Sequence, residues 1–93
     1  MIVSVCQAEL YLSESRSLKD KRQALNSLKE RLRNRFNLSV AEVDHHDLWQ
    51  RASLGLVTVS NSTAHGDEVL AKAVDFIRND SRVVLSDYST WDA

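Results

Sequence analysis

The chain has 93 residues, of which 43% are hydrophobic and 27% charged, with two glycines and no proline. These proportions are typical of a folded chain and not of a disordered one, and the length leaves room for only one apolar core, so we expect a single domain over residues 1–93. One cysteine, Cys6, excludes an internal disulfide, and the first twelve residues are too short and too polar for a signal peptide or a membrane span. We therefore expect a soluble, cytoplasmic protein that does not bind a membrane.

The first two predicted elements are a strand and a helix. Residues 2–12 alternate so that mostly aliphatic side chains share one face, while Gln7 and Glu9 point to the other. This alternation predicts a strand with one buried face. Ser17 then supplies an N-cap, and leucines recur after it at helical spacing, which predicts a first helix over about residues 18–35.

The rest of the chain predicts a hairpin, a second helix and a last strand. The predicted bounds are residues 38–43 for strand two, about 45–50 for its connection, 52–60 for strand three and 82–88 for strand four. Asn61, Ser62 and Thr63 supply turn and capping residues before the second helix, and Asn79 and Asp80 end it. Asp67 and Glu68 are expected at the start of the second helix, where negative charge favours the helix dipole.

The order β, α, β, β, α, β with short connections predicts a ferredoxin-like α+β fold, a four-stranded antiparallel sheet with both helices on one face. The other sheet face then stays uncovered. From strand one it would present Val3, Val5, Gln7, Glu9 and Tyr11. Because an uncovered, partly apolar face and two edge strands both favour pairing, we expect a homodimer through the open sheet face or an edge strand.

Charge is unevenly distributed along the chain. Residues 16–35 carry a net charge of +6, and the remainder carries −7. One flank of the first helix, here called the basic flank, carries Lys19, Arg22, Lys29 and Arg33. Cations on a rigid rod match the phosphates of an RNA backbone, and four contacts would give log affinity a slope of about −3 to −4 against log salt. The alternative is a solvated helix face without a partner.

The segment AEVDHHDLWQRA, residues 41–52, concentrates residue types that carry chemistry. Imidazole and carboxylate groups are ordinary metal ligands, but neighbouring strand residues point to opposite sides, so at most two can bind one ion. The alternative function is a small-ligand or metal site in which Glu9 and Glu42 face each other on the open side of the sheet, with Asp44 and His45 nearby. The simpler interpretation is a strand end and connection that order the hairpin.

Trp49 and Arg51 follow in the same connection. Trp49 is expected to cap the end of the core, and anchoring a partner is the alternative use of an exposed indole. Arg51 is expected to pair with Asp44 or Asp47 and so fix the hairpin. Because the sequence contains no nucleophile elbow, phosphate-binding glycine motif or assembled acid and base, we expect no enzymatic activity, catalytic residue, metal or cofactor.

Three motifs in order closely resemble the YlxP-like family of small bacterial proteins, a family classed by its unknown function: SLKDKR at 17–22, LKERLRNRFNLSVAEVD at 28–44 and LWQRASLG at 48–55. The resemblance covers nearly the whole chain. It implies a ferredoxin-like fold and genes often found beside those for translation initiation and small-subunit maturation, but no site residue or ligand. We therefore expect a non-enzymatic accessory factor that contacts ribosomal RNA or a ribosomal protein through the first helix.

Overall fold

The computed structural model describes residues 1–93 and contains six elements in the predicted order. They are β1 (Ile2–Tyr11), α1 (Leu18–Arg35), β2 (Ser39–Asp44), β3 (Arg51–Ser60), α2 (Thr63–Arg78) and β4 (Val84–Asp92). The sheet has the order β2-β3-β1-β4, and every neighbouring pair is antiparallel. The predicted ferredoxin-like α+β fold is therefore confirmed, with β2 and β4 as the edge strands.

The core lies between the sheet and the two helices. Alternation along β1 buries Cys6, Ala8 and Leu10, and these residues pair with Leu56, Leu54 and Ala52 of β3. Both helices cover this face with leucine, valine and isoleucine side chains at helical spacing, namely Leu25, Leu28, Leu32, Leu70, Val74 and Ile77. Burial of this apolar surface is the main favourable contribution to folding.

Cys6 is a fully buried core residue with a free thiol. Burial raises the pKa of its thiol to about 11. The thiol is therefore protonated at neutral pH, and because the thiolate is the reactive form, Cys6 in the folded protein is not a nucleophile.

The second helix begins where its predicted capping residues place it, directly after Ser62. Ser62 is its N-cap and accepts a hydrogen bond from the His65 amide at 3.2 Å. Asp67 and Glu68 consequently lie beyond the first turn, and Glu68 instead forms an ion pair with Lys72 at 2.8 Å. The prediction that these two carboxylates lie at the helix start and stabilise it is wrong, because the helix begins at Thr63 and its first turn contains no acidic residue.

The last strand is displaced toward the C-terminus relative to the predicted residues 82–88. It runs from Val84 to Asp92 because it pairs with β1 along nearly the whole length of that strand, from Tyr11 to Ser4. The residues after Tyr88 are exposed and, apart from Trp91, mostly polar, so their side chains give little strand signal. Backbone pairing with β1 determines their conformation instead.

The open sheet face has an apolar end and a polar end. Val3, Val5, Val57, Val59 and Trp91 share the apolar end, as their register across β1, β3 and β4 shows. At the polar end, Glu9 accepts hydrogen bonds from the Ser53 hydroxyl and from Gln7 at 3.1 Å. Neither α1 nor α2 has the length and hydrophobicity that a membrane-spanning helix requires.

Homodimer formation through this face or an edge strand stays a prediction. If two copies pair through the open face, Trp91→Lys places a charge in the interface and shifts the protein to monomer in sedimentation velocity. Tyr88→Lys is the matched control, because Tyr88 is in the same strand but opposite Ala8, on the helix side. A dimer that survives Trp91→Lys indicates pairing through an edge strand, and a parent protein that is monomeric at 100 µM contradicts both forms of the prediction.

Candidate nucleic-acid interface

The first helix is defined at both ends by backbone and side-chain caps. Ser17 is the N-cap, and its side chain accepts a hydrogen bond from the Asp20 amide at 3.0 Å. At the other end, the Phe36 amide donates to the Leu32 carbonyl at 2.9 Å and closes the helix. Helix α1 thus has the predicted bounds, and its buried leucines fix its rotation so that the basic flank points away from the core.

The basic flank is not neutralised by the protein's own carboxylates. Lys19, Arg22 and Arg33 are exposed and Lys29 is half-buried. The ion pairs of the structure join Lys21 to Glu42, Arg31 to Asp80, Lys72 to Glu68 and Arg78 to Asp75. None of the four flank residues takes part. Arg33 donates only to the Val40 carbonyl, at 3.0 Å, which holds its guanidinium beside the β2 edge without cancelling its charge.

Two cations of α1 outside the basic flank, Arg31 and Arg35, are directed toward α2. The Arg31 guanidinium donates to Asp80 at 2.5 Å and lies 5.7 Å from the centre of the Phe76 ring. Arg35 lies over the same ring at 5.6 Å. These contacts attach α1 to α2. The flank on the β2 side of α1 is therefore the side whose cations have no carboxylate or aromatic partner.

The Arg31–Asp80 pair makes stability depend on pH. Burial opposes ionisation of Asp80, whose side chain is 4% exposed, but hydrogen bonds from Arg31 and from the Arg82 amide, with both positive charges, hold the pKa of that carboxyl below its ordinary 3.8. A folded-state pKa below the unfolded one gives stability that is present above pH 3.8 and is lost as the pH falls through the folded value.

We expect the free energy of unfolding to fall between about pH 4 and pH 2, and Asp80→Asn to remove part of that dependence. Urea denaturation at a series of pH values measures both. The control is Asp75→Asn, because Asp75 forms an exposed pair with Arg78 at 2.9 Å. Parallel pH profiles for the parent and Asp80→Asn contradict the assignment.

Lys21 is the cation that sequence reasoning missed. It is 1% exposed. Its Nζ donates to the Glu42 carboxylate at 2.9 Å and to the carbonyls of His45 at 2.8 Å, Arg51 at 3.2 Å and His46 at 3.3 Å. These bonds tie α1 to the end of β2 and to the β2–β3 connection. The sequence did contain a signal, because Lys21 lies four and seven residues before the buried Leu25 and Leu28 and so shares their helix face.

The interpretation of residues 41–52 as a strand end and connection is confirmed. Strand β2 ends at Asp44, whose side chain accepts from the His45 amide at 2.7 Å. His45 has a φ of 64°, in the left-handed region, and its carbonyl accepts from the Leu48 amide at 3.0 Å. The His46 ring Nε2 donates to the Glu42 carbonyl at 3.1 Å. Both histidines therefore serve the turn.

The expected meeting of Glu9 and Glu42 is wrong. Glu42 pairs with Leu54, whose side chain is in the core, and points toward Lys21 on the helix side. Glu9 pairs with Ser53 on the open side. The sheet therefore separates the two carboxylates, and no three His, Cys, Asp or Glu residues lie close enough together to hold a metal ion. The geometry gives the alternative small-ligand or metal site no support.

Two other expectations for the connection are also wrong. Arg51 lies opposite Tyr11 at the start of β3 and forms no ion pair with Asp44 or Asp47. The hairpin is fixed by Lys21 instead, whose ammonium group donates to the Arg51 carbonyl. Trp49 does not cap the core, since 55% of its surface is exposed. The alternative use of this indole, as an anchor for a partner, stays a prediction.

Comparison with known proteins identifies the family of this chain. The family model described as "Protein of unknown function (DUF503)" matches residues 3–90. The chain is 33% identical over 76 residues to the uncharacterized protein YlxP of Bacillus subtilis (strain 168), an alignment that covers 82% of this chain and 83% of the relative. The resemblance to the YlxP-like family is thereby confirmed. The chain belongs to the DUF503 family of proteins of unknown function.

Proposed function

We propose that this protein is a non-enzymatic accessory factor that binds structured RNA, foremost ribosomal RNA, through the basic flank of α1. The observation that carries the proposal is the set of four cations on one side of an 18-residue helix, none of them paired with a carboxylate. Such a factor would act in the cytoplasm, where ribosomes assemble.

The dimensions of the flank support this proposal. From Lys19 to Arg33 the helix advances about 21 Å, at about 1.5 Å per residue, which is long enough to contact several consecutive phosphates. The helix backbone keeps the four cations at fixed intervals, which reduces the conformational entropy lost on binding. Because the rest of the chain carries a net charge of −7, the field of the protein orients α1 toward a polyanion.

The sheet is less suited to RNA than the helix is. Sheet-type RNA-binding domains stack bases on aromatic residues of the central strands. Here β3 contains no aromatic residue, and β1 has only Tyr11, at its end. Glu9 and Asp87 also lie opposite each other on the open face, where their charges repel a phosphate backbone. We therefore assign backbone contact to α1.

Fluorescence anisotropy of a labelled ribosomal RNA hairpin tests the proposal. We expect binding at 50 mM salt, and a slope of log affinity against log salt of about −3 to −4, the value for four phosphate contacts. Absence of binding at 50 mM salt contradicts the proposal. If the protein nevertheless sediments with small ribosomal subunits, its partner is a ribosomal protein and the RNA assignment is wrong.

A further inference from the structure

A groove of about 780 Å³ opens beside the N-terminal end of α1, between the end of β1 and the β2–β3 connection. The volume is in the range of small-molecule sites. Its apolar lining comes from Tyr11, Leu48 and Trp49, all exposed to solvent. We call this feature the Trp49 groove. Exposed aromatic side chains grouped at a concave surface are typical of binding sites and not of ordinary surface.

The wall that carries Trp49 is fixed by hydrogen bonds on both sides. On the helix side, the Lys21 ammonium group donates to the carbonyls of His45, His46 and Arg51. Gln50 donates to the carbonyls of Ser13 and Ser15 at 3.2 and 3.1 Å, and its own carbonyl accepts from the Leu12 amide at 2.8 Å. The connection is therefore attached to the segment before α1. A ligand that enters the groove meets an indole on an ordered backbone, which lowers the entropy cost of binding.

The charge of the groove favours an anionic ligand. Arg16 and Arg51 line it, and neither guanidinium forms an ion pair or a hydrogen bond within the protein. The only carboxylate in the lining is Asp47. Arg16 also precedes Lys19 by three residues, so the groove lies next to the N-terminal end of the basic flank.

We infer that the Trp49 groove binds an unpaired RNA base adjacent to the helical segment held by the basic flank. The base stacks on the indole of Trp49, and Arg16 and Arg51 contact the flanking phosphates or stack on the base. This inference rests on the proposed function and names the form of RNA that the protein recognises: a duplex next to an unpaired nucleotide. Charge distinguishes this ligand from an apolar peptide, which would leave both arginines without partners.

Two RNAs test the inference, a blunt duplex and the same duplex with a short single-stranded extension. We expect Trp49→Ala to weaken binding of the extended RNA about tenfold, the loss typical of one stacked base, and binding of the blunt duplex less than twofold. Trp49→Phe retains a stacking surface and should recover most of the affinity. Tyr88→Ala removes another exposed aromatic residue, away from the groove, and should leave both affinities unchanged.

Fluorescence gives a direct readout of the same contact. In the Trp91→Phe protein Trp49 is the one remaining tryptophan, and the extended RNA should quench its emission with saturation, whereas the blunt duplex should not. Equal affinities of parent and Trp49→Ala for the extended RNA overturn the inference. So does quenching by an acidic peptide but not by RNA, which assigns the groove to a protein partner.

These outcomes separate the groove from the basic flank. If the groove inference alone fails, duplex binding persists and still depends on the flank residues. If the proposed function fails, the blunt duplex does not bind at all, or binds equally after the flank charges are reversed.

Discussion

Replacing all four residues of the basic flank by glutamate is expected to lower RNA affinity about a thousandfold at 100 mM salt, because four phosphate contacts are lost. New negative charges at the same positions add repulsion to that loss. Anisotropy titration with the ribosomal RNA hairpin measures the effect. Three of the four side chains are exposed, so the fold should persist, as far-UV circular dichroism can verify.

A charge-matched control separates position from net charge. Glutamate at Arg35, Lys72, Arg78 and Arg82 brings the protein to the same net charge but leaves the basic flank intact. We expect this control to lose less than tenfold in affinity, through long-range repulsion alone. Equal losses in the two variants would mean that RNA affinity depends only on the net charge of the protein, which contradicts the assignment of RNA contact to α1.

Arg33 needs a separate variant because its guanidinium also donates to the Val40 carbonyl. A three-site reversal that spares Arg33 keeps this contact between α1 and the β2 edge. It should still lose most of the affinity. If only the four-site variant loses binding, the loss depends on Arg33 alone, and the assignment of phosphate contacts to Lys19, Arg22 and Lys29 is wrong.

Lys21→Met is expected to lower the free energy of unfolding by about 3 kcal/mol, because it leaves an unpaired carboxylate and several carbonyls without their donor. The Glu42 side chain is 16% exposed, so water compensates only part of the loss. Methionine keeps the length and apolar stem of the lysine, which limits the effect to the ammonium group. Urea denaturation at neutral pH measures the change.

Lys19→Met is the matched control, since it makes the same substitution on the exposed side of the same helix. We expect it to change stability by less than about 0.5 kcal/mol. Amide hydrogen exchange adds a local readout, because residues 45–50 should lose protection in Lys21→Met before the rest of the fold does. Equal stability of the two variants would contradict the role of Lys21.

Most of the fold follows from the sequence because periodicity and capping agree along the chain. The alternation of residues 2–12 and the leucine spacing after Ser17 each predict one element without ambiguity, and α1 has the predicted bounds. The right-handed crossover rule and the short connections then exclude most other arrangements of the six elements. Strand β4 was less predictable at its end, because pairing with β1 fixes residues whose side chains have no buried partner.

The interface could be predicted only in part. Exposure of Lys19 and Arg22 follows from the helical wheel, whereas the contacts of Arg31 and Arg35 depend on where α2 packs. Net charge counts Lys21 among the cations of residues 16–35, but its position on the apolar face of α1 buries it against Glu42. The exposure of Trp49 depends on how the connection leaves β2, and local sequence does not determine that geometry.

The most direct test of RNA contact by α1 is the salt dependence of binding for the parent and for the variant Lys19→Met, Arg22→Met, Lys29→Met. We expect the slope of log affinity against log salt to change from about −3 or −4 to about −1, because each lost phosphate contact removes slightly less than one unit. An unchanged slope, with RNA still bound, would show that these cations do not contact the backbone and would contradict the proposed function.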